Sequence, residues 1–246
     1  MTDGRVVLVT GGARGIGSAC AGWFLAAGDR VAITYRGEAP PLPPGGAAGA
    51  PERWLAVRCD VTDQKQVDAA FTAVEEAWGP VEVLVANAGI TRDTLVLRMS
   101  EDSWQEVIDT NLTGAFRVAK RAVAKMLRLH RGRIVFVSSV GAFVGLPGQA
   151  NYAASKAGLV GMARALAREV ASRQITVNVI APGVVATDMI AALGDERNEQ
   201  LRAMVPLGRA GEAGEVAEAV GFLASAGASY ITGAVLPIDG GLGMGL

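Results

Sequence analysis

Val6-Val7-Leu8-Val9-Thr10-Gly11-Gly12-Ala13-Arg14-Gly15-Ile16-Gly17 sets a short β-branched run against a glycine-rich turn, and the helical segment Ser18 to Ala27 follows at once. The run reads as a strand buried on both faces. Gly11, Gly15 and Gly17 permit a tight strand-to-helix turn, close backbone approach to a pyrophosphate, and packing of the helix on the sheet. The unpaired N–H groups at the helix start then face the anion. The spacing is GxxxGxG rather than GxGxxG, and an ordinary turn is the alternative. Its position, after a first strand and opening a helix, is what points to a nucleotide. Gly11, Arg14, Gly15, Ile16 and Gly17 are therefore the first candidate cofactor residues.

Similar runs recur along the chain: 31–35, 54–57, 81–86, 133–138, 176–181 and 234–238. Between most of them lie alanine-rich segments with apolar residues at helical spacing, such as Val67, Ala70, Phe71 and Val74. Near-continuous apolar strands alternating with helices predict an α/β fold: a doubly wound, Rossmann-type parallel sheet of about seven strands with helices on both faces. The whole chain, 1–246, reads as one domain. The connection 37–51, with five prolines and four glycines, cannot sustain a helix and reads as a surface loop, a domain linker being the alternative.

Composition narrows the chemistry. With 23 basic against 24 acidic residues the chain lacks the basic excess that nucleic-acid binding requires. The single histidine, His130, sits among arginines, so neither a histidine metal pair nor a Ser-His-Asp triad is expected. Cys20 and Cys59 form no CxxC and read as small packed groups, which suits a reducing cytoplasm. The run before Gly11 is too brief for the core of a signal peptide. The uncharged stretch 219–238 contains Pro237 and three glycines, and reads better as helix, turn and strand than as a membrane span.

The second strand ends Thr34-Tyr35-Arg36, where an acidic residue would bind a free ribose 2′-hydroxyl. Arg36 and Arg14 instead suit a 2′-phosphate, favouring NADP(H), although both could be merely solvated and Glu38 lies nearby. Tyr152 and Lys156 stand at i and i+4 at the start of a helical pattern, on one face. The spacing predicts an ammonium that lowers the pKa of the phenol, so that Tyr152 can exchange a proton near neutral pH. Alone, Tyr-x-x-x-Lys is usually structural.

The order of TGGARGIG, Asn87-Ala88-Gly89, Asn111 in TNLTG, Ser139 thirteen residues before Tyr152, YAASK and Ala181-Pro182-Gly183 resembles the short-chain dehydrogenases/reductases over nearly the whole chain. That resemblance implies Tyr152 as proton donor, Ser139 polarising the carbonyl, Lys156 binding the nicotinamide ribose, and Asn111 anchoring a proton-relay water. It also implies that Asp60 and Val61 contact the adenine, that Asn87, Ala88 and Gly89 line the cofactor channel, and that Pro182, Gly183, Val185 and Thr187 cover the nicotinamide. Asp60 as a turn residue or helix cap, the Asn87 segment as a simple loop, and Thr187 as an N-cap are the alternatives. Ser138 is expected to support the strand end.

Within the family, DTNLTGAFRVAKRA, GQANYAASKAGLVGMARALARE, VPLGR and SYITGAVLPIDGGLGMG are most similar to 3-oxoacyl-[acyl-carrier-protein] reductases. The implied reaction is NADPH-dependent reduction of a 3-oxoacyl thioester to the (3R)-3-hydroxyacyl form, in a homotetramer. A stand-alone polyketide ketoreductase, another alcohol dehydrogenase of the family, and a non-catalytic NADP-binding regulator are the rivals. An acidic carrier protein would need a basic patch, for which Lys125, Arg128, Arg131 and Arg173 are candidates, helix C-terminal complementation being the other reading. Residues 188–210, with Met189, Ile190, Leu193, Leu201, Met204 and Val205, fall where the family keeps its substrate lid.

Overall fold

The computed structural model describes residues 4–41, 50–187, 199 and 202–245. β1 (Val6–Val9), β2 (Arg30–Tyr35), β3 (Trp54–Arg58), β4 (Val83–Ala86), β5 (Gly132–Val137), β6 (Ile175–Pro182) and β9 (Val235–Ile238) form one sheet in the order β3-β2-β1-β4-β5-β6-β9. Every pairing is parallel, as expected of strands such as β1 and β4, whose residues are all buried. The seven expected runs are the seven strands, with ends displaced by one or two residues. A further parallel pair, β7 (Val185–Ala186) with β8 (Gly211–Glu212), went unforeseen, because two residues carry no periodicity.

Helices cover both faces. On one, α1 (Gly15–Ala26) and α7 (Ala213–Ala224) bury Phe24, Leu25, Val220 and Leu223 against the sheet. On the other, α2 (Gln64–Trp78), α4 (Gly114–Leu129) and α6 (Ala150–Val170) bury Phe71, Met126 and Leu159 beside Phe136 of β5. Each such side chain contributes about 1.5–3 kcal/mol by leaving water. Asp63 caps α2 by accepting from the Lys65 and Gln66 amides, and Ser100 caps α3 (Glu101–Ile108) through the Ser103 amide. α1 differs: Arg14 occupies the cap position and gives no side-chain bond, so the first turn keeps donors for another acceptor. The short helix α5 (Gly141–Val144) leads from β5 towards α6.

From β1 the chain winds outward to β2 and β3, then returns to lay β4 on the other side of β1. That reversal opens a crevice at the carboxyl ends of β1 and β4, where ligands bind in open parallel sheets. β2 and β3, on either side of the proline-rich connection, pair directly from Val31↔Trp54 to Tyr35↔Arg58, so the segment connects neighbouring strands rather than separate sheets. Its end forms the 3₁₀ turn Ala50–Arg53, while 42–49 lie outside the described residues. The uncharged 219–238 stretch divides into the end of α7, a 3₁₀ turn at Ala226–Ala228, and β9. Among the described residues no helix is long and apolar enough to cross a membrane. Both cysteines are free and buried. Burial pushes the Cys20 thiol up to about 12 and the Cys59 thiol up to about 11, so they pack as neutral groups.

Candidate active site

The glycine turn is held in place from β4. Thr10 Oγ1 accepts from the Asn87 and Ala88 amides, both at 3.1 Å, while Asn87 Nδ2 donates to the Thr10 and Gly11 carbonyls at 3.0 and 3.1 Å. From β2, Thr34 Oγ1 accepts from the Gly11 amide at 3.2 Å. Gly11 and Gly15 adopt left-handed φ of 64° and 53°, where a side chain is strained. A Cβ on Gly17 would lie 2.6 Å from Asn87 Nδ2, so helix and clasp approach as closely as glycine allows. The Thr187 methyl stands 3.5 Å from the Cβ position of Gly15, which brings the segment after β6 back over the turn.

This clasp makes a distinct prediction. Asn87→Ala removes two bonds of about 1 kcal/mol each, whereas Asn87→Asp turns a carboxylate towards two carbonyl oxygens. The aspartate variant is expected to bind dinucleotide at least tenfold more weakly than the alanine variant and to melt lower, as read by titration and thermal unfolding. Equal behaviour of the two would show that the amide hydrogens of Asn87 do not hold the turn.

At the end of β2, Arg36 Nη1 stands 3.7 Å from Asp60 Oδ2. Asp60 Oδ1 accepts from the Thr62 amide (2.9 Å) and hydroxyl (2.8 Å), so it is a turn residue, and Asp63 rather than Asp60 caps α2. Burial opposes its charge, but the Thr62 bonds and Arg36 outweigh it and hold the carboxyl below its usual range.

β5 ends in two serines with separate tasks. Ser138 Oγ is buried and donates to the Lys156 carbonyl at 2.9 Å, bracing strand against helix. Ser139 accepts from the Gly141 amide at 3.1 Å, and its hydroxyl favours the ionised form of the Tyr152 phenol. One turn on, Lys156 Nζ lies 5.7 Å from the centre of the Tyr152 ring and donates to the Val137 carbonyl at 2.8 Å. The expected lowering of the Tyr152 value by Lys156 is overturned. Burial raises it above 10, Ser139 opposes and Asp93 adds to the rise, so the phenol stays protonated. The same burial pushes the Lys156 ammonium down to about 8. The i, i+4 spacing puts the two groups on one face, but their desolvation is the larger effect here.

Asn111 sits in a π-helical turn, Asp109–Thr113, a distortion frequent at functional sites. Its Oδ1 accepts from the Ile90 amide (2.8 Å) and its Nδ2 donates to the Ile90 carbonyl and Ser155 Oγ, both at 3.0 Å. The carboxamide is thus a brace between the loop after β4 and α6. Two residues absent from the sequence reading, Gln149 and Asp93, lie on the substrate side and are joined by a 2.7 Å bond. Their separation of 56 positions leaves no local signal.

A cavity of about 760 Å³ connects these parts. Gly11, Arg14, Gly15, Ile16, Arg36, Asp60, Val61, Asn87, Ala88 and Gly89 line one portion, and Ser139, Tyr152, Lys156, Pro182, Gly183, Val185 and Thr187 the rest. Gly17 and Asn111 act behind its wall. The uncapped α1 amides, the glycine cradle and two arginines form a donor set that fits a pyrophosphate-bearing dinucleotide. Of the expected lid, Met204 reaches the cavity and Val205 is buried, whereas Met189, Ile190, Leu193 and Leu201 lie outside the described residues.

Of the residues expected to form a basic patch, Arg173 meets the end of α4, while Arg131 and Lys125 are paired with carboxylates. Arg173 Nη1 stands 2.6 Å from His130 Nε2, Arg131 pairs with Glu82 at 2.9 Å, and Lys125 with Glu75 at 3.8 Å. Tyr152 is at the opposite end of the 21-residue α6. At 1.5 Å per residue, Arg173 is roughly 30 Å along that axis from the phenol.

A family model described as enoyl-(acyl carrier protein) reductase matches residues 11–243. The 3-oxoacyl-[acyl-carrier-protein] reductase MabA of Mycobacterium tuberculosis is 52% identical over 98% of this chain and 94% of its own length. The 3-oxoacyl-[acyl-carrier-protein] reductase FabG of Escherichia coli is 45% identical over 98% of each, and its counterpart from Salmonella typhi 46% identical over 98% of each.

Proposed function

We propose, because this chain belongs to the short-chain dehydrogenase/reductase family, that it is an oxidoreductase reducing the 3-oxo group of an acyl thioester on acyl carrier protein, in fatty acid biosynthesis. The observation that carries the reading is that Ser139 and Tyr152 line the same cavity as the glycine cradle. Two hydroxyl groups side by side suit one carbonyl oxygen. Ser139 donates to it, and Tyr152 delivers the proton as the oxygen becomes an alkoxide; Lys156 binds the nicotinamide ribose and Asn111 anchors a relay water. A nicotinamide dinucleotide, when bound, supplies the hydride. The product is the (3R)-3-hydroxyacyl thioester.

NADP(H) is the form of cofactor we propose, supported by Arg14 and Arg36 at the cavity edge. Asp60 and Val61 serve the adenine side, and Pro182, Gly183, Val185 and Thr187 cover the nicotinamide. A homotetramer and carrier docking on Arg128, Arg131 and Arg173 stand together in this reading. A carrier held roughly 30 Å from the phenol of its own subunit is better placed to feed the cavity of an adjacent copy. Free, buried thiols support a cytoplasmic location.

The test is oxidation of NADPH with acetoacetyl-[acyl-carrier-protein]. Turnover is expected, with NADPH favoured over NADH by about 10- to 100-fold if the arginines grip a 2′-phosphate. Reduction of cyclic ketones without thioester turnover would make the protein an alcohol dehydrogenase of another pathway. Reduction of crotonyl thioester instead would give the double-bond chemistry that the family model's description names.

A further inference from the structure

The wall facing Tyr152 on the substrate side is joined from two distant segments by three bonds. The Thr94 amide donates to the Gly148 carbonyl at 2.8 Å, Asn151 Nδ2 to the Arg92 carbonyl at 3.1 Å, and Gln149 Nε2 to Asp93 Oδ2 at 2.7 Å. Asn151 is fully buried, so the Arg92–Thr94 segment is fixed relative to α6 rather than draped over it. Asp93, Gln149, Ser139 and Tyr152 line the same cavity. The neighbouring cation does not neutralise Asp93, because the Arg92 guanidinium forms a two-point pair with Glu106 at 2.7 and 2.8 Å.

A carboxylate only accepts hydrogen bonds, so it fixes which way the Gln149 amide faces: Nε2 to Asp93, Oε1 the other way, 3.7 Å from the Cβ position of Gly141. Beside the two hydroxyl donors the wall therefore presents a negative charge and a carbonyl acceptor. Such a surface tolerates a neutral acyl group and disfavours an anion next to the reacting carbonyl. The field of Asp93 reaches this point, since it acts on the Tyr152 phenol itself.

We infer that Asp93, with Gln149 oriented by it, is a specificity-determining residue that selects 3-oxoacyl esters and thioesters over free 3-oxo carboxylates. The inference rests on the reductase reading above, and its test separates the two. Ethyl acetoacetate and acetoacetate differ in one charge close to the same ketone, so the ratio of their kcat/KM values reports the discrimination alone. Wild-type protein is expected to prefer the ester. Asp93→Asn keeps an acceptor for Gln149 Nε2 and removes the charge, and should shrink the ratio by about three- to tenfold, chiefly by raising activity on acetoacetate. In the wild type the ratio should also narrow with salt, because Asp93 is exposed. A ratio that neither the substitution nor salt alters, with the ester still reduced, overturns the role of Asp93 and leaves the reductase reading intact. Failure of the wild type to reduce the ester or any 3-oxoacyl thioester overturns both.

Discussion

Tyr152→Phe is expected to lower the rate of ketone reduction by about 10²–10⁴-fold while dinucleotide affinity stays unchanged. The substitution removes one oxygen from a ring that keeps its place on α6. What is lost is the hydroxyl that stands with Ser139 in the cavity wall and can release a proton to the substrate oxygen. An alkoxide forming from a carbonyl is roughly as basic as hydroxide, whose conjugate acid has a pKa of about 15.7. A phenol raised above 10 by burial can still protonate it downhill. For reduction the requirement is that the donor carry its proton, and burial secures this across the neutral range. For alcohol oxidation the same group must first lose that proton. Oxidation should therefore climb with pH well into the alkaline range while reduction stays flat through neutrality. Stopped-flow or steady-state turnover of both directions against pH checks this. Wild-type turnover in Tyr152→Phe, or an oxidation rate independent of pH, would remove the tyrosine from the chemistry.

The fold and the site were legible in the sequence to different depths. Strands such as Val6–Val9 and helices such as Gln64–Trp78 announce themselves because burial on both faces writes an unbroken apolar run, and burial of one stripe a helical period, into adjacent residues. Gly11, Gly15 and Gly17 were readable for a related reason: the turn demands residues without a side chain, and the demand is local. Tyr152 and Lys156 share a helix face by arithmetic alone. Their acidities do not follow from it, since desolvation depends on everything packed around α6, including Val137 of β5 and Ser139 just beyond that strand. Contacts between remote segments were equally silent. Asn87 clasping Thr10, Asn111 bracing Ile90 to Ser155, and Gln149 meeting Asp93 each join loops whose partners only the sheet order brings together.

Lys156→Met is expected to cost as much activity as any single change at the site and yet to make the ligand-free protein more stable at pH 7. Lys156 is 4% exposed, and its hydrogen bond to the Val137 carbonyl leaves most of the ammonium's lost hydration uncompensated. Its value of about 8 in the folded chain lies below the ordinary 10.5 of the unfolded one. Below about pH 8 both states carry the charge and the folded state bears the burial penalty. Between 8 and 10.5 the unfolded state holds a proton that the folded state has released, so this group's contribution to stability rises with pH. Methionine matches the length of the stem without the charge. After allowing for the lost bond to Val137, the gain at pH 7 is about 1–2 kcal/mol, or roughly 2–8 °C in Tm for a chain of this size. The advantage should shrink as pH climbs from 8 towards 10.5, because wild-type Lys156 then becomes neutral in place. A group kept at such expense is retained for what it does when substrate and dinucleotide are present, which is the trade between stability and activity expected of a site. Thermal unfolding of both proteins at pH 7 and pH 10, beside turnover at pH 7, checks the argument. A less stable Lys156→Met at neutral pH, or one that turns over normally, would mean that the buried ammonium is structural.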